Sequence, residues 1–354
     1  SLTGKDHYTD EALLMVASAI PCTIVFDLEW EYDFPNGLSI QGFFQEEPLE
    51  QWIVYSLGGG SIKILGQCFD FQKEVYPQKS FIEVVAYCKS QNYRLADYVY
   101  AYEPDIDLYL EEILSQMFKT IDQGLSMTGT LRGRLKMPRV AQTLYQETLI
   151  TNQMSSEEIK RQRLIAYAYA TMEENANLGL VVTAPTCGSA GILAAVLYYY
   201  HHDLKIDRQA LIDALAVAGV FGNIVKKNAT ISGAEGGCQA EVGVGCAMAS
   251  AAVASLFTDS LEEIEYAAEI GMEHHLGLTC DPVGGYVIIP CIERNGAAAL
   301  RAIDAAFMAR QLIKVKQNRV TFDDVVTTMK YTGQKIAIEL RETSLGGLAK
   351  QIKI

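Results

Sequence analysis

Cysteine, glycine and ionisable residues crowd into three short segments, and those segments are where chemistry could be done. The first, Thr183-Ala184-Pro185-Thr186-Cys187-Gly188-Ser189-Ala190-Gly191, leads into an apolar helix. Its small residues let the backbone come close to something, and a helix start presents free N–H groups. A tight turn before a buried helix explains the pattern equally well. The second segment runs from Lys226, Lys227 and Asn228 through Ser232, Gly233, Glu235, Gly236 and Gly237 to Cys238, Gln239 and Glu241. The third holds His274, His275, Gly277, Thr279, Cys280, Asp281, Pro282, Gly284 and Gly285. After a short apolar stretch it continues with Pro290, Cys291, Glu293, Arg294 and Asn295.

The chain has eight cysteines and is far larger than a disulfide-stapled domain. In a reducing cytosol such thiols are buried small hydrophobes, nucleophiles or metal ligands. No Cys-x-x-Cys pair occurs, so zinc-ribbon and ferredoxin patterns have no support. Cys238 and Cys291 each fall at an expected helix start, and Cys280 lies in a Gly/Pro loop. Three thiolates holding an iron–sulfur cluster leave it net negative, and helix N-termini aimed at it stabilise it by about 0.3–1 kcal/mol each when exposed. Cys246, about 12 Å along a helix axis from Cys238, is too far to share a cluster and reads as core packing. Cys22, Cys68 and Cys88 also read as packing residues. Cys187 stays open between packing and the glycine loop's chemistry.

Two different kinds of element must position these segments. Residues 1 to about 75 carry β-branched and aromatic runs at 19–27 and 51–65, broken by Asp33-Phe34-Pro35-Asn36-Gly37 and by Gly58-Gly59-Gly60. Strand–turn alternation of this kind predicts a small α/β unit, seen only in part. Pro77 marks the expected boundary. Residues 76–354 read as nearly all helix, with apolar residues at three- and four-residue intervals over 81–89 and 105–121. Ser260 and Glu263 predict a capping box for a helix running to about His275. Pro290 suits the first turn of a helix reaching about Gln311. No repeat of 20–50 residues occurs, so a solenoid is not expected. The expected class is α+β, a large all-helical domain preceded by a small, incomplete α/β one.

Charge narrows the partners. With 29 basic and 43 acidic residues the net charge is -14, which repels phosphate backbones and anionic lipid. The apolar run at 242–257 is too short and too small-residued for a lipid-facing span, and no signal peptide precedes Glu11. Nucleic acid and membrane are therefore not expected partners, and the expected location is cytoplasmic.

The strings KKNATISGAEGGCQAEVGVGC, EHHLGLTCDPVGG, PCIERN and ETSLGGLA resemble the iron–sulfur L-serine dehydratases, and the likeness covers nearly all of 75–350. The resemblance implies a lyase of amino-acid degradation and gluconeogenesis, turning serine into pyruvate and ammonia without pyridoxal phosphate. It implies a [4Fe-4S] cluster on Cys238, Cys280 and Cys291 with one iron left open. GKDHYTDEALLM and YSLGGGSI resemble the family's smaller α/β domain, which some members carry as a separate beta subunit. Homodimers are common in the family. The family's serine-rich stretch with histidine and threonine has no match here, so the reading expects a missing N-terminal segment or a divergent one. Relatives often have asparagine where Cys187 stands, and no cysteine follows Cys291.

In such a site an open iron acts as Lewis acid on the β-hydroxyl and a base removes the α-proton. Lys226, Asn228, Glu241, His274 and His275 are the candidate catalytic residues, and Thr186 and Ser232 the candidate substrate-binding ones. Each has an ordinary alternative. A Lys-Lys pair is usually a solvated helix end, and a histidine in a helix's last turn complements its dipole. The rival activities are a pyridoxal-phosphate dehydratase with Lys226 or Lys227 as Schiff base, a cluster enzyme acting on cysteine, and a non-catalytic cluster or zinc protein.

Overall fold

A computed structural model of the chain describes residues 4 to 353, apart from 6, 28, 33, 35, 68–73 and 151–153. The chain opens with α1 (Thr9–Val16) and a sheet of three strands, β1 (Gly37–Phe44), β2 (Glu47–Gly58) and β3 (Ser61–Ile64), paired antiparallel in the order β1-β2-β3. Gly58, Gly59 and Gly60 all have positive φ, a conformation glycine adopts without steric cost, so the triple glycine closes the β2–β3 hairpin. Side chains alternate across the sheet. Ile40 pairs with Trp52, and Val54 with both Leu38 and Ile64, which groups these apolar side chains on one face. The other face carries Tyr55, covered by Trp30 and Phe34 at ring distances of 6.5 and 5.7 Å.

The remainder is helical: α2 (Phe81–Gln91), α3 (Leu95–Tyr102), α4 (Ile106–Ser126), α5 (Ala141–Ile150), α6 (Ser156–Ala176), α7 (Ala190–His202) and α8 (Arg208–Asn228). There follow the short α9 (Gly233–Gly236), then α10 (Val242–Ser255), α11 (Leu261–Glu273), α12 (Cys291–Leu312), α13 (Phe322–Lys335) and α14 (Gly347–Gln351). Helix α10 decides the packing. Its glycine, alanine, serine and valine leave no polar face, so it must be enclosed, and 13 of its 14 residues are buried among α7, α8, α11 and α12. Close approach depends on small residues. A Cβ on Gly271 of α11 would lie 2.5 Å from Ser250 Oγ of α10. Phe221 of α8 stacks on Phe81 at 4.7 Å and meets Phe322 edge-on at 4.9 Å, tying α2 and α13 to the same core.

Helix α8 is long and apolar enough to cross a membrane by length and composition, a possibility the reading of 242–257 had not weighed. Two thirds of that window, 67%, is buried within the protein, as in a core helix.

Several sequence expectations are corrected. Residues 19–27 form no strand: Pro21 interrupts them, no neighbouring strand pairs with them, and the chain beyond carries Trp30 over Tyr55. Strand β1 was not expected, because Gly37 and Gly42 weaken its alternation. The small unit is one helix followed by an antiparallel sheet, without α/β alternation. Ser260 caps α11 through Glu263 N–H at 3.2 Å, but its own N–H donates to Thr258 Oγ1, so the reciprocal half of the box does not form. Cys22 is exposed, not packed, whereas Cys88 is buried; Cys68 lies outside the described residues, as do Asp33 and Pro35 of the expected turn.

Candidate active site

The two parts meet at a cavity of about 200 Å³. The small unit lines it with His7, Asn36, Ser56, Gly58 and Gly59; the helical body contributes Thr186, Cys187, Gly188, Ser232, Gly233, Glu241, Cys280, Cys291 and Glu342. The junction is tight. A Cβ on Gly59 would sit 2.8 Å from Ile231 Cδ1 and 3.2 Å from the Pro185 carbonyl. Helix α1 is tied down by Glu11, which accepts from Arg132 at 2.7 Å, while the same guanidinium lies 4.5 Å from the Tyr8 ring centre.

Three buried thiols gather at the body's side. Cys238 opens a single 3-10 turn ahead of α10, Cys280 lies in the loop after α11, and Cys291 is the first residue of α12. Sγ of Cys238, Sγ of Cys280 and a Glu241 oxygen all lie within 4.8 Å of one another, a spacing that suits ligands to one metal centre. A hydrogen bond from the Cys280 thiol holds Cys238 below the ordinary thiol range, and the same bond, with burial, pushes Cys280 up. Burial pushes Cys291 up as well. Bare thiolates are thus disfavoured at Cys280 and Cys291 unless a cation shares the site.

Buried amides hold the loops in place. Gln239 Nε2 donates to the carbonyls of Gly236 and Met329, and its Oε1 accepts from Gly277 N–H and Thr332 Oγ1. One side chain therefore joins the Cys238 turn, the loop before Cys280 and α13. Asn295 does the same on the other side, donating to Gly188 and Cys291 carbonyls at 2.8 Å and accepting from Gly191 N–H at 3.0 Å. Arg294 donates to the Thr279 carbonyl at 2.6 Å and pairs with Asp281 at 3.4 Å. A C-terminal strap brackets the Cys280 loop: Cys280 N–H donates to Leu340 O at 2.8 Å, and Glu342 N–H to Cys280 O at 2.6 Å. Leu348 N–H adds a bond to Asp281 Oδ2 at 2.7 Å.

The glycines of the first two segments make room for Glu241. A Cβ on Gly188 would fall 2.9 Å from one Glu241 oxygen, and a Cβ on Gly233 would fall 2.5 Å from the other. Thr186 Oγ1 donates to the carboxylate at 2.7 Å. Burial raises the Glu241 pKa, with the Thr186 bond pulling the other way. Burial and the neighbouring Glu241 charge push Glu342 up to about 8.

Of the residues singled out from sequence, Thr186, Ser232, Glu241, Cys280 and Cys291 line the cavity and Cys238 adjoins it. Lys226, Asn228, His274 and His275 do not. Asn228 ends α8, where its Nδ2 donates to the Lys79 carbonyl at 2.7 Å. His274 and His275 bond back through Nδ1 to the carbonyls of Ile270 and Gly271. Cys246 is fully buried, its thiol 3.5 Å from the Ala298 carbonyl, away from the cavity. Cys187 opens onto the cavity from the first segment. His7, Asn36, Gln239, Arg294, Asn295 and Glu342 were missed. The ionisable and amide residues next to each cysteine, in CQ and CIERN, were the available signal for three of them.

Comparison with known proteins points the same way. The family model described as serine dehydratase alpha chain matches residues 39–349. L-serine dehydratase 1 of Escherichia coli is 39% identical over 403 aligned positions, which take in all of this chain and 88% of that protein. The L-serine dehydratase of Haemophilus influenzae is 35% identical, with 99% of this chain and 88% of the relative covered. That of Streptomyces coelicolor is 45% identical over 251 residues, 71% of this chain and 54% of the relative. On the span of the family match and the length of these alignments, the chain belongs to the serine dehydratase family.

Proposed function

We propose that the protein is an iron–sulfur L-serine dehydratase that converts L-serine to pyruvate and ammonia. The observation that carries this is the convergence of Cys238, Cys280 and Cys291, from three separate segments, beside one cavity walled on its far side by the small unit. The donor set fits a [4Fe-4S] cluster with three protein thiolates, which leaves one iron for the substrate. When bound, such a cluster supplies a Lewis acid that turns the β-hydroxyl into a better leaving group.

The chain's own residues do the rest. His7 is the one histidine on the cavity wall among the described residues, so it takes the α-proton. Ser232 offers its hydroxyl to the substrate carboxylate, and Thr186, whose hydroxyl is donated to Glu241, fixes that side chain. Loss of water leaves aminoacrylate, which tautomerises to an imine and hydrolyses to pyruvate and ammonia. A Schiff-base rival is disfavoured by placement. No lysine lines the cavity among the described residues, and Lys227 pairs instead with Glu74 at 2.5 Å. The reading makes a free amino acid the substrate, and with it go a homodimer and a cytoplasmic location.

The test is anaerobic reconstitution with iron and sulfide. The expected product is brown, bleaches in air, contains no pyridoxal phosphate and releases pyruvate from L-serine. His7→Asn should hold iron and sulfide while losing most turnover. A protein that stays colourless and metal-free after reconstitution would overturn the proposal.

A further inference from the structure

We propose that Glu342, together with Glu241, receives the α-ammonium group of the substrate, and that Glu342 thereby selects amino acids over the corresponding hydroxy acids. The inference rests on the serine dehydratase reading and adds the determinant of substrate class to it.

Three observations carry it. The cavity wall is acidic in a specific way: it holds two carboxyl groups and, among the described residues, no lysine or arginine. The nearby guanidinium of Arg294 is outside the lining; it donates to the Thr279 carbonyl, pairs with Asp281 and bonds to the Cys238 side chain. Second, the two carboxyl groups face one spot. The point where a Cβ of Gly233 would stand is 2.5 Å from Glu241 Oε2 and 3.2 Å from Glu342 Oε2. Third, Glu342 adopts a left-handed backbone with φ 58, which a residue bearing a side chain adopts at a cost. The strap's bonds to Cys280 come from the backbone of Leu340 and Glu342, and the Glu342 carboxyl group accepts from Ala234 N–H, which holds it at the cavity wall beside Gly233.

Charge decides what such a spot accepts. Burial and mutual repulsion keep these two carboxyl groups from both ionising alone, and a small cation between them relieves that repulsion; serine presents one on the carbon that loses its proton. The same pair repels the substrate's own carboxylate, which must lie away from it. A site built to pair with a charged group rejects an analogue lacking it, because the enclosed carboxylates are then left unpaired.

The experiment uses the anaerobically reconstituted holoprotein with Glu342→Gln and Glu342→Asp, iron and sulfide content being checked for each. Two ligands are compared: L-serine, and 3-hydroxypropionate, which is serine without its amino group. Affinity for each is read from the change in visible absorption on titration, and kcat and KM for serine are measured separately. Glu342→Gln should raise the KM for serine by about 10- to 100-fold, the factor expected for losing one charge-assisted hydrogen bond. Its kcat should fall much less, and 3-hydroxypropionate should bind as well as before or better. Glu342→Asp, which keeps the charge, should recover part of the preference for serine. Equal losses for the two ligands, or no change for either, would overturn the assignment. If the Gln variant fails to hold the cluster, the Asp variant answers through the same ratio of affinities. A wild-type protein that binds both ligands but releases no pyruvate would fail the dehydratase reading alone.

Discussion

Gln239 and Asn295, in the helical body, are fully buried and meet every obligation of their amides through the bonds to Gly236, Met329, Gly277, Thr332, Gly188, Cys291 and Gly191. In the three-stranded unit the pattern reverses. Ile53, Val54, Tyr55 and Ile64 are buried there, while Ile40, Phe43, Phe44 and Trp52 stand 41–65% exposed. Both regions line the same cavity. The body resists local opening because polar satisfaction and apolar burial act on the same loops. The sheet has too little enclosed surface to fix itself and takes its position from contacts such as Gly59 on Ile231. The division has a chemical sense. A metal centre needs its thiols held still, whereas the wall that meets a substrate only has to complete the enclosure.

The most severe way to break this contrast is through the thiols. Cys238→Ser, Cys280→Ser and Cys291→Ser should each abolish iron and sulfide retention after anaerobic reconstitution, because two thiolates hold a cubane poorly. Cys246→Ala should keep full iron content, and Cys187→Ala should keep it with altered kinetics. Iron lost from Cys246→Ala and kept by Cys280→Ser would reverse the ligand assignment. Next in size is the core itself. Phe221→Ala should cost about 3–5 kcal/mol in urea unfolding, and Trp52→Ser on the open sheet face less than about 0.5 kcal/mol. Equal costs would show that the sheet is as well enclosed as the body. Gln239→Leu should cost about 1–3 kcal/mol and speed iron loss, since it strands donors and acceptors on three segments at once. An unchanged midpoint would remove the amide from its positioning role.

These contrasts explain which features could be read in advance. Helix α12 was legible because Pro290 precedes a long apolar periodicity, and its observed span of Cys291–Leu312 follows that signal closely. The grouping of Cys238, Cys280 and Cys291 was expected from the likeness of their strings to the serine dehydratases, and their positions at two helix starts and in a Gly/Pro loop agree with it. Lys226, Asn228, His274 and His275 misled for one reason: nearness in sequence to a cysteine was taken as nearness in space. Both pairs stand at helix ends, and the chain must turn before it reaches the thiols, which carries them off the cavity. His7 and Glu342 come from opposite ends of the chain, so only tertiary structure brings them to one wall. Strand β1 was hidden because Gly37 and Gly42 cut short the alternation of Leu38 and Ile40 with Ser39 and Gln41 on which recognition depends.

The mildest test lies within the body, at a carboxyl group that the fold encloses without a close cation. Glu269 on α11 is 2% exposed; its Oε2 accepts from Asn318 Nδ2 at 3.4 Å, and Glu273 lies one turn further on the same helix. Burial, followed by repulsion from Glu273, pushes its pKa up to about 8, with Lys316 opposing weakly. A carboxyl group raised in this way binds its proton more firmly folded than unfolded. The folded state is therefore favoured below the ordinary value of about 4.5, and that advantage is lost progressively as pH rises toward 8. Glu269→Gln keeps the shape and cannot ionise, so its stability should decline less across that window. Relative to wild type the variant should gain on the order of 1 kcal/mol between pH 5 and pH 9, with coupling to Glu273 holding the figure below the full shift. Urea unfolding of both proteins at a series of pH values under anaerobic conditions measures the difference. Parallel profiles would mean that water or a rearranged Lys316 already compensates Glu269, and that the body's enclosure is looser at α11 than around its cysteines.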